Sequence, residues 1–183
     1  MNKFIPNLLS ILRLVLSFFL IPLVLKKNLW GATVLFAVAA ASDFLDGYWA
    51  RKFQVLSNLG AVLDPLADKV LMIVSYSLFA HVEFIPTYVA IIVIGRDILI
   101  LFTVLTCKIL SINIKIQPLP ASKINTAIQL IFIILVLSCN NLSINVPSYF
   151  RDACAMIVCA SCIFSGAEYV HKYYWIKDKI FSR

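Results

Sequence analysis

Charge is scarce in this chain of 183 residues. Lysine, arginine, aspartate and glutamate make up only 14% of it, against about 25% in ordinary soluble domains. With 62% hydrophobic residues and a mean hydropathy of +0.94, that scarcity excludes a soluble globular domain and leaves an all-α bundle in a membrane. Histidine is scarcer still. The only two, His81 and His171, fall at the ends of apolar runs, where an interfacial position is the simpler reading. Five cysteines include a CxxC, Cys159 and Cys162, but no second pair or histidine completes a zinc site. Cys159, Ser161, Cys162, Ser165 and Gly166 read instead as small residues that let a helix pack closely. There is no internal repeat and no low-complexity segment. No basic stripe interleaves with aromatics, so the net charge of +7 does not indicate nucleic acid. The length fits one membrane domain, residues 1–183, of about six spans.

Apolar runs broken by charge, proline or asparagine place the spans at about Asn7–Leu25, Leu29–Lys52, Asn58–Ala80, Ile85–Leu110, Ser122–Cys139 and Ser148–Trp175. The first is long enough to cross, and no small-residue cleavage site follows it, so it reads as a retained helix rather than a signal peptide. With six spans, one side collects Lys3, Arg51, Lys52, Lys108, Lys115, Lys123, Lys172, Lys177, Lys179 and Arg183, with Arg13 near it in the first span. The other side holds only Lys26, Lys27 and Arg151. The basic side faces the cytoplasm. Both termini and the loop Phe53–Ser57 are therefore expected there, with Tyr173, Tyr174 and Trp175 anchored among headgroups.

Acid is rare and unevenly spent. Of nine acidic residues, Asp43, Asp46, Asp64 and Asp68 fall within the stretch SDFLDGYWARKFQVLSNLGAVLDPLADK. A single Asp at the centre of a membrane helix costs roughly 2.5–3.5 kcal/mol, so such a cluster must be paired, metal-bound or water-lining. On a helix, Asp43, Asp46, Gly47, Ala50 and Arg51 share one face, and so do Gly60, Asp64 and Asp68 on the next. A short connection makes the two helices antiparallel neighbours with their acidic stripes facing each other near the cytoplasmic surface. Four converging carboxylates repel unless cations sit among them, and oxygen ligands suit Mg²⁺, Mn²⁺ or Ca²⁺. Two such ions would balance four negative charges. Gly47 and Gly60 let a phosphate or planar group approach the backbone, and Arg51 offers a fork for phosphate. The reading is a site for a phosphorylated substrate, plainly compatible with a diphosphate. Glycine-mediated packing around a buried Arg–Asp pair explains single residues but not four acids on two stripes.

These residues resemble the signature of the CDP-alcohol phosphatidyltransferases: D-x2-D-G-x2-A-R, a spacer, then G-x3-D-x3-D. Asp43, Asp46, Gly47, Ala50, Arg51, Gly60, Asp64 and Asp68 meet it position by position, with eight residues between Arg51 and Gly60. The resemblance implies a six-span homodimeric integral membrane transferase of phospholipid biosynthesis, in a bacterial inner membrane or its equivalent. It implies a CDP-diacylglycerol donor, an alcohol acceptor and release of CMP. By it Asp43, Asp46 and Asp64 hold divalent metal, Mg²⁺ or Mn²⁺ in two ions, and Asp68 joins them or serves as general base. Gly47, Ala50, Arg51 and Gly60 would line the cytidine and diphosphate site.

The acceptor must be read elsewhere. Arg96 lies inside the fourth span, where charges usually face a cavity, and neighbours on a helix do not face each other. Asp97 is therefore expected to be a poor partner for it. The glycerol 3-phosphate branch of the family is similar in the opening IPNLLSILR and carries G-K-x-K-T before the fifth span. This chain has Ser122, Lys123, Ile124, Asn125 and Thr126, with Asn125 replacing the second lysine. Lys123 with Asn125 suits one negative charge better than two. That points to phosphatidylglycerol as acceptor and cardiolipin as product, resembling that branch over roughly residues 40–130. Glycerol 3-phosphate is the alternative, and nothing selects serine or inositol phosphate. A divalent-cation transporter would use the acids but gives no reason for Gly47, Gly60 and Arg51 in register. An intramembrane prenyltransferase would need a second, separate acidic motif.

Overall fold

In the computed structural model, the backbone is described over residues 4–53, 60–109, 120–142 and 146–181, and side chains over 10–42, 67–102, 121–142 and 146–171. Within them the chain is all helix, with no strand: α1 Phe4–Leu25, α2 Leu29–Phe53, α3 Gly60–His81, α4 Thr87–Ile109, α5 Pro120–Asn141 and α6 Ser148–Phe181. The six helices match the six expected spans to within a few residues, except that α6 runs on to Phe181. The expected start at Asn58 and end at Leu110 lie outside the described residues. The shortest helices have 22 residues, about 33 Å at 1.5 Å rise per residue, enough for a hydrocarbon layer of about 30 Å. Among the described residues, 121–141 and 148–171 are by themselves long and apolar enough to cross a membrane.

Among the described residues, large apolar side chains lie outside as well as in the core, and a polar layer lies inside. Ile11, Phe18 and Phe19 on α1, Ile91 and Phe102 on α4, and Ile163 and Phe164 on α6 are exposed. Ser10, Arg13, Ser17, Ser75, Arg96, Asp97, Asn125, Gln129 and Ser165 are buried. Apolar outside and polar inside is the arrangement that lipid, not water, rewards.

The helix ends follow local rules. Pro86 precedes α4, Pro120 opens α5 and Pro147 precedes α6, where a missing N–H costs no helical bond. Asn28 Oδ1 accepts from the Gly31 amide and caps α2. α1 and α3 end in the same hydrogen-bonded turn. Lys27 N bonds to Val24 O and Asn28 N to Leu23 O; Glu83 N bonds to Ala80 O and Phe84 N to Phe79 O. Each turn needs one residue with positive φ, a position glycine usually fills. Here Lys27 (φ 58°) and Glu83 (φ 60°) occupy it.

The chain divides into two compact units, residues 1–85 with 133–145, and residues 86–132 with 146–183. In the first, α1 packs against both α2 and α3. Ala32, Phe36 and Ala39 on α2, and Ala67, Leu71 and Ser75 on α3, form buried stripes at helical spacing. In the second, α4 packs on α6.

Candidate active site

The motif residues sit on two continuous helices. Positions 43, 46, 47, 50 and 51 belong to the last turns of α2, and 60, 64 and 68 to the first turns of α3. Positions 43, 46 and 50 continue the register of 32, 36 and 39, and positions 60 and 64 continue that of 67, 71 and 75. The side chains of Asp43, Asp46, Gly47, Ala50, Arg51, Gly60 and Asp64 lie outside the described residues, as do the loop 54–59 and the expected apposition of the stripes. So do the side chains of Tyr173, Tyr174 and Trp175.

Asp68 is the motif acid whose surroundings are described. Its carboxylate is 36% exposed, and its Oδ1 accepts a hydrogen bond from Arg13 Nη1 at 3.2 Å. Arg13 comes from the middle of α1, 55 residues earlier, and is 1% exposed. It lies on a polar stripe with Ser10 and Ser17, all buried, and Ser17 Oγ donates to the Arg13 carbonyl at 2.8 Å. Sequence reasoning counted Arg13 as one more positive charge and missed this role. The signal was present: a lone arginine inside an apolar helix demands a buried partner.

Among the described residues no group of three metal-ligating side chains comes together, because only Asp68 of the four acids is described there. The donor chemistry still fits a hard divalent ion. All four ligands offered are carboxylates, spaced by about one turn on each helix, and Asp68 is open to its surroundings rather than sealed.

The acceptor candidates belong to the second unit, and one expectation fails there. Arg96, 5% exposed, donates from Nη1 to Asp97 Oδ1 at 2.7 Å, although the two are adjacent on α4. The rule that neighbours diverge describes Cβ directions. A guanidinium on a three-carbon stem is long enough to turn back to the next residue. Arg96 Nη2 also donates to Ser122 Oγ on α5 at 2.7 Å and to Ser165 Oγ on α6 at 2.6 Å. Asn125, 1% exposed, accepts at Oδ1 from Ser161 Oγ at 2.8 Å. One turn on, Gln129 Nε2 meets Cys162 Sγ at 3.1 Å. Ser122, Asn125 and Gln129 therefore share one face of α5, towards α6. Lys123 is exposed on the other side of α5, so the structure does not bring it onto the face of Asn125. Two buried N–H groups in this layer, Arg96 Nε and Asn125 Nδ2, have no hydrogen-bond partner.

Cys159 and Cys162 are buried free thiols on α6. Cys162 meets an amide, in keeping with a packing role rather than a metal site.

Comparison with known proteins agrees with the motif. The family model for CDP-alcohol phosphatidyltransferase matches residues 3–166. The cardiolipin synthase (CMP-forming) of Rattus norvegicus is 31% identical over 93% of this chain and 60% of its own length. The CDP-diacylglycerol–glycerol-3-phosphate 3-phosphatidyltransferase of Aquifex aeolicus is 38% identical over 64% of this chain and 65% of its own. The enzyme of that same description in Bacillus subtilis is 31% identical over 79% and 74%. The chain thus spans somewhat under two thirds of the length of the rat and Aquifex relatives. With eight signature positions in register on two helices and a match over nearly its whole length, the chain belongs to the CDP-alcohol phosphatidyltransferase family.

Proposed function

We propose that this protein transfers the phosphatidyl group of CDP-diacylglycerol to phosphatidylglycerol, forming cardiolipin and CMP. The acceptor hydroxyl oxygen forms a bond to the lipid-bearing phosphorus while the phosphoanhydride P–O bond breaks. CMP leaves with that electron pair, and the hydroxyl proton passes to the Asp68 carboxylate. Asp43, Asp46 and Asp64, with Asp68 beside them, would hold the metal; Gly47, Ala50, Arg51 and Gly60 would hold cytidine and diphosphate. The family is generally dependent on a divalent metal, and two Mg²⁺ or Mn²⁺ ions would neutralise the diphosphate and the departing CMP. The chain's own contribution is placement and a proton acceptor. A base of this kind supplies about 10²–10⁴-fold, and orientation supplies much of the rest. The reaction would occur near the cytoplasmic face, with both termini on that side, in a homodimer.

The observation that carries the choice of acceptor is Asn125. It is a buried, uncharged amide held by Ser161, with its NH2 left to offer. Together with Arg96 Nε it suits a phosphodiester with one negative charge, and Lys123 would add charge at the entrance. The match with a cardiolipin synthase over 93% of the chain supports the same choice. Glycerol 3-phosphate is the second reading, favoured by the 38% identity to the Aquifex enzyme over a shorter stretch.

The test is a competition. Purified protein in detergent receives CDP-diacylglycerol, Mn²⁺ and equal phosphatidylglycerol and glycerol 3-phosphate, and the lipid products are resolved by mass. Cardiolipin with stoichiometric CMP is the expected result; phosphatidylglycerophosphate moves the protein to the second reading. Asn125→Lys should then raise the ratio of glycerol 3-phosphate to phosphatidylglycerol used by about tenfold, roughly 1.4 kcal/mol of discrimination. An unchanged ratio would remove Asn125 from the acceptor site.

A further inference from the structure

A buried arginine in a membrane helix is costly, and the structure shows which acid it meets. Arg13 is the largest of the fully buried side chains among the described residues. It meets Asp68, the fourth aspartate of the motif. The two members of the pair differ in environment. The guanidinium side chain is 0% exposed and the carboxylate side chain 36%. One end of the bridge is anchored in the packing of α1 against α3, and the other opens towards the surroundings. The backbone beneath Arg13 is also braced, because Ser17 Oγ donates to its carbonyl and Ser17 is itself buried.

We infer that Arg13 is a positioning residue for Asp68. A carboxylate has two rotatable side-chain bonds, and an aspartate that only touches its own helix can turn about both. A hydrogen bond from a rigidly seated guanidinium to Oδ1 fixes the plane of the group, and with it the direction of the other oxygen. A catalytic group must be held within a fraction of an ångström of its reacting partner, and a displacement of about 1 Å costs on the order of 10²-fold. α1 carries none of the signature acids, yet through Arg13 it sets the geometry of one of them. The inference rests on the proposed role of Asp68 as proton acceptor.

The test uses the full chain reconstituted with CDP-diacylglycerol, Mn²⁺ and the acceptor found in the competition above. Arg13→Gln should lower kcat by about 10²-fold while KM for the donor stays within about threefold, and Arg13→Lys should lie between it and the native protein. A residue that merely stabilised the bundle would lower the active fraction and leave the kcat of the folded protein, counted by donor binding, unchanged. Coupling is the second readout. In an Asp68→Asn background, Arg13→Gln should cost little further, since the group it positions has already gone. Equal losses in both backgrounds, or native kcat in Arg13→Gln beside an inactive Asp68→Asn, would overturn positioning and leave the base in place. Native turnover in Asp68→Asn would instead remove the base itself. Should Arg13→Gln fail to bind donor, Arg13→Lys decides: a lower kcat at unchanged donor KM supports the inference, and a native kcat overturns it.

Discussion

Among the described residues, each compact unit pairs a buried arginine with an aspartate, and the two pairs are built differently. Arg13 and Asp68 join helices 55 residues apart in sequence, and the acid remains 36% exposed. Arg96 and Asp97 are chain neighbours, with side chains 4% and 1% exposed, and two serines from other helices accept from the guanidinium's second Nη. The first bridge is closed at the base and open at the acid. The second is closed at both. A partly exposed carboxylate held by a buried guanidinium suits proton transfer or metal, whereas a sealed pair with serine partners suits fixing how α4, α5 and α6 meet, with Arg96 Nε left over for an acceptor. Buried pairs of that sort add little net stability but are costly to break.

Asparagine at each acid is the sharpest way to break that contrast. Asp68→Asn should abolish turnover, a loss of about 10²–10⁴-fold, while donor binding stays close to native and the unfolding temperature in detergent falls modestly, because the buried Arg13 loses this counter-charge. The amide oxygen can still accept from Arg13, and the site is partly open. Asp64→Asn should differ by weakening metal and donor binding together, measured by CDP-diacylglycerol titration with and without Mn²⁺. Normal turnover in either variant would dismantle the assigned roles.

Asp97→Asn should act on stability first. It leaves a guanidinium 5% exposed without its counter-charge, a change that costs about 3–5 kcal/mol when a buried pair is broken. A fall in unfolding temperature much larger than that of Asp68→Asn is the expected measurement. Equal falls would mean that the exposure of Asp68 does not distinguish the two bridges.

The two pairs also mark what the sequence could tell. Span positions were legible because lipid imposes a simple rule, long apolar runs ended by charge or proline. The helix bounds Leu29–Phe53 and Thr87–Ile109 differ from the expected ones by only a residue or two. The motif was legible because its spacing is helical. The Arg13 bridge was not, since no local spacing connects α1 to a residue 55 positions on, although the cost of a lone arginine promised a partner somewhere. Arg96 was misread for the opposite reason. A spacing rule for backbone directions was applied to a side chain long enough to escape it. Its serine partners, Ser122 and Ser165, stood out only as members of the run before the fifth span and of the small-residue stripe, and carry no charge to mark them as ligands of a guanidinium. Lys123 and Asn125, two residues apart on α5, were grouped by sequence proximity where helical geometry puts one outside and the other inside.

A smaller contrast links the same two stretches of chain at their turns. α3 ends with Glu83 at φ 60°, in the left-handed region, and Phe79 and Phe84 close the turn with ring centroids 6.2 Å apart. That contact is the apolar clasp typical of such a helix end, so the aromatic pair imposes the conformation and Glu83 endures it. A left-handed conformation costs a residue with a Cβ about 1–2 kcal/mol. Glycine removes that cost but gains freedom in the unfolded chain, which returns part of it. Glu83→Gly should therefore stabilise by about 1 kcal/mol or less, read as a modest rise in unfolding temperature with kcat unchanged. At α1 the equivalent turn has Lys27 at φ 58° but Asn28 where α3 has Phe84, and Asn28 is engaged in capping α2. Lys27→Gly relieves the same strain in a turn that lacks the aromatic clasp and so has less to hold its shape once the side chain is gone. The gain should be smaller there. A larger gain at Lys27 than at Glu83 would show that the clasp does not govern how these ends respond to glycine.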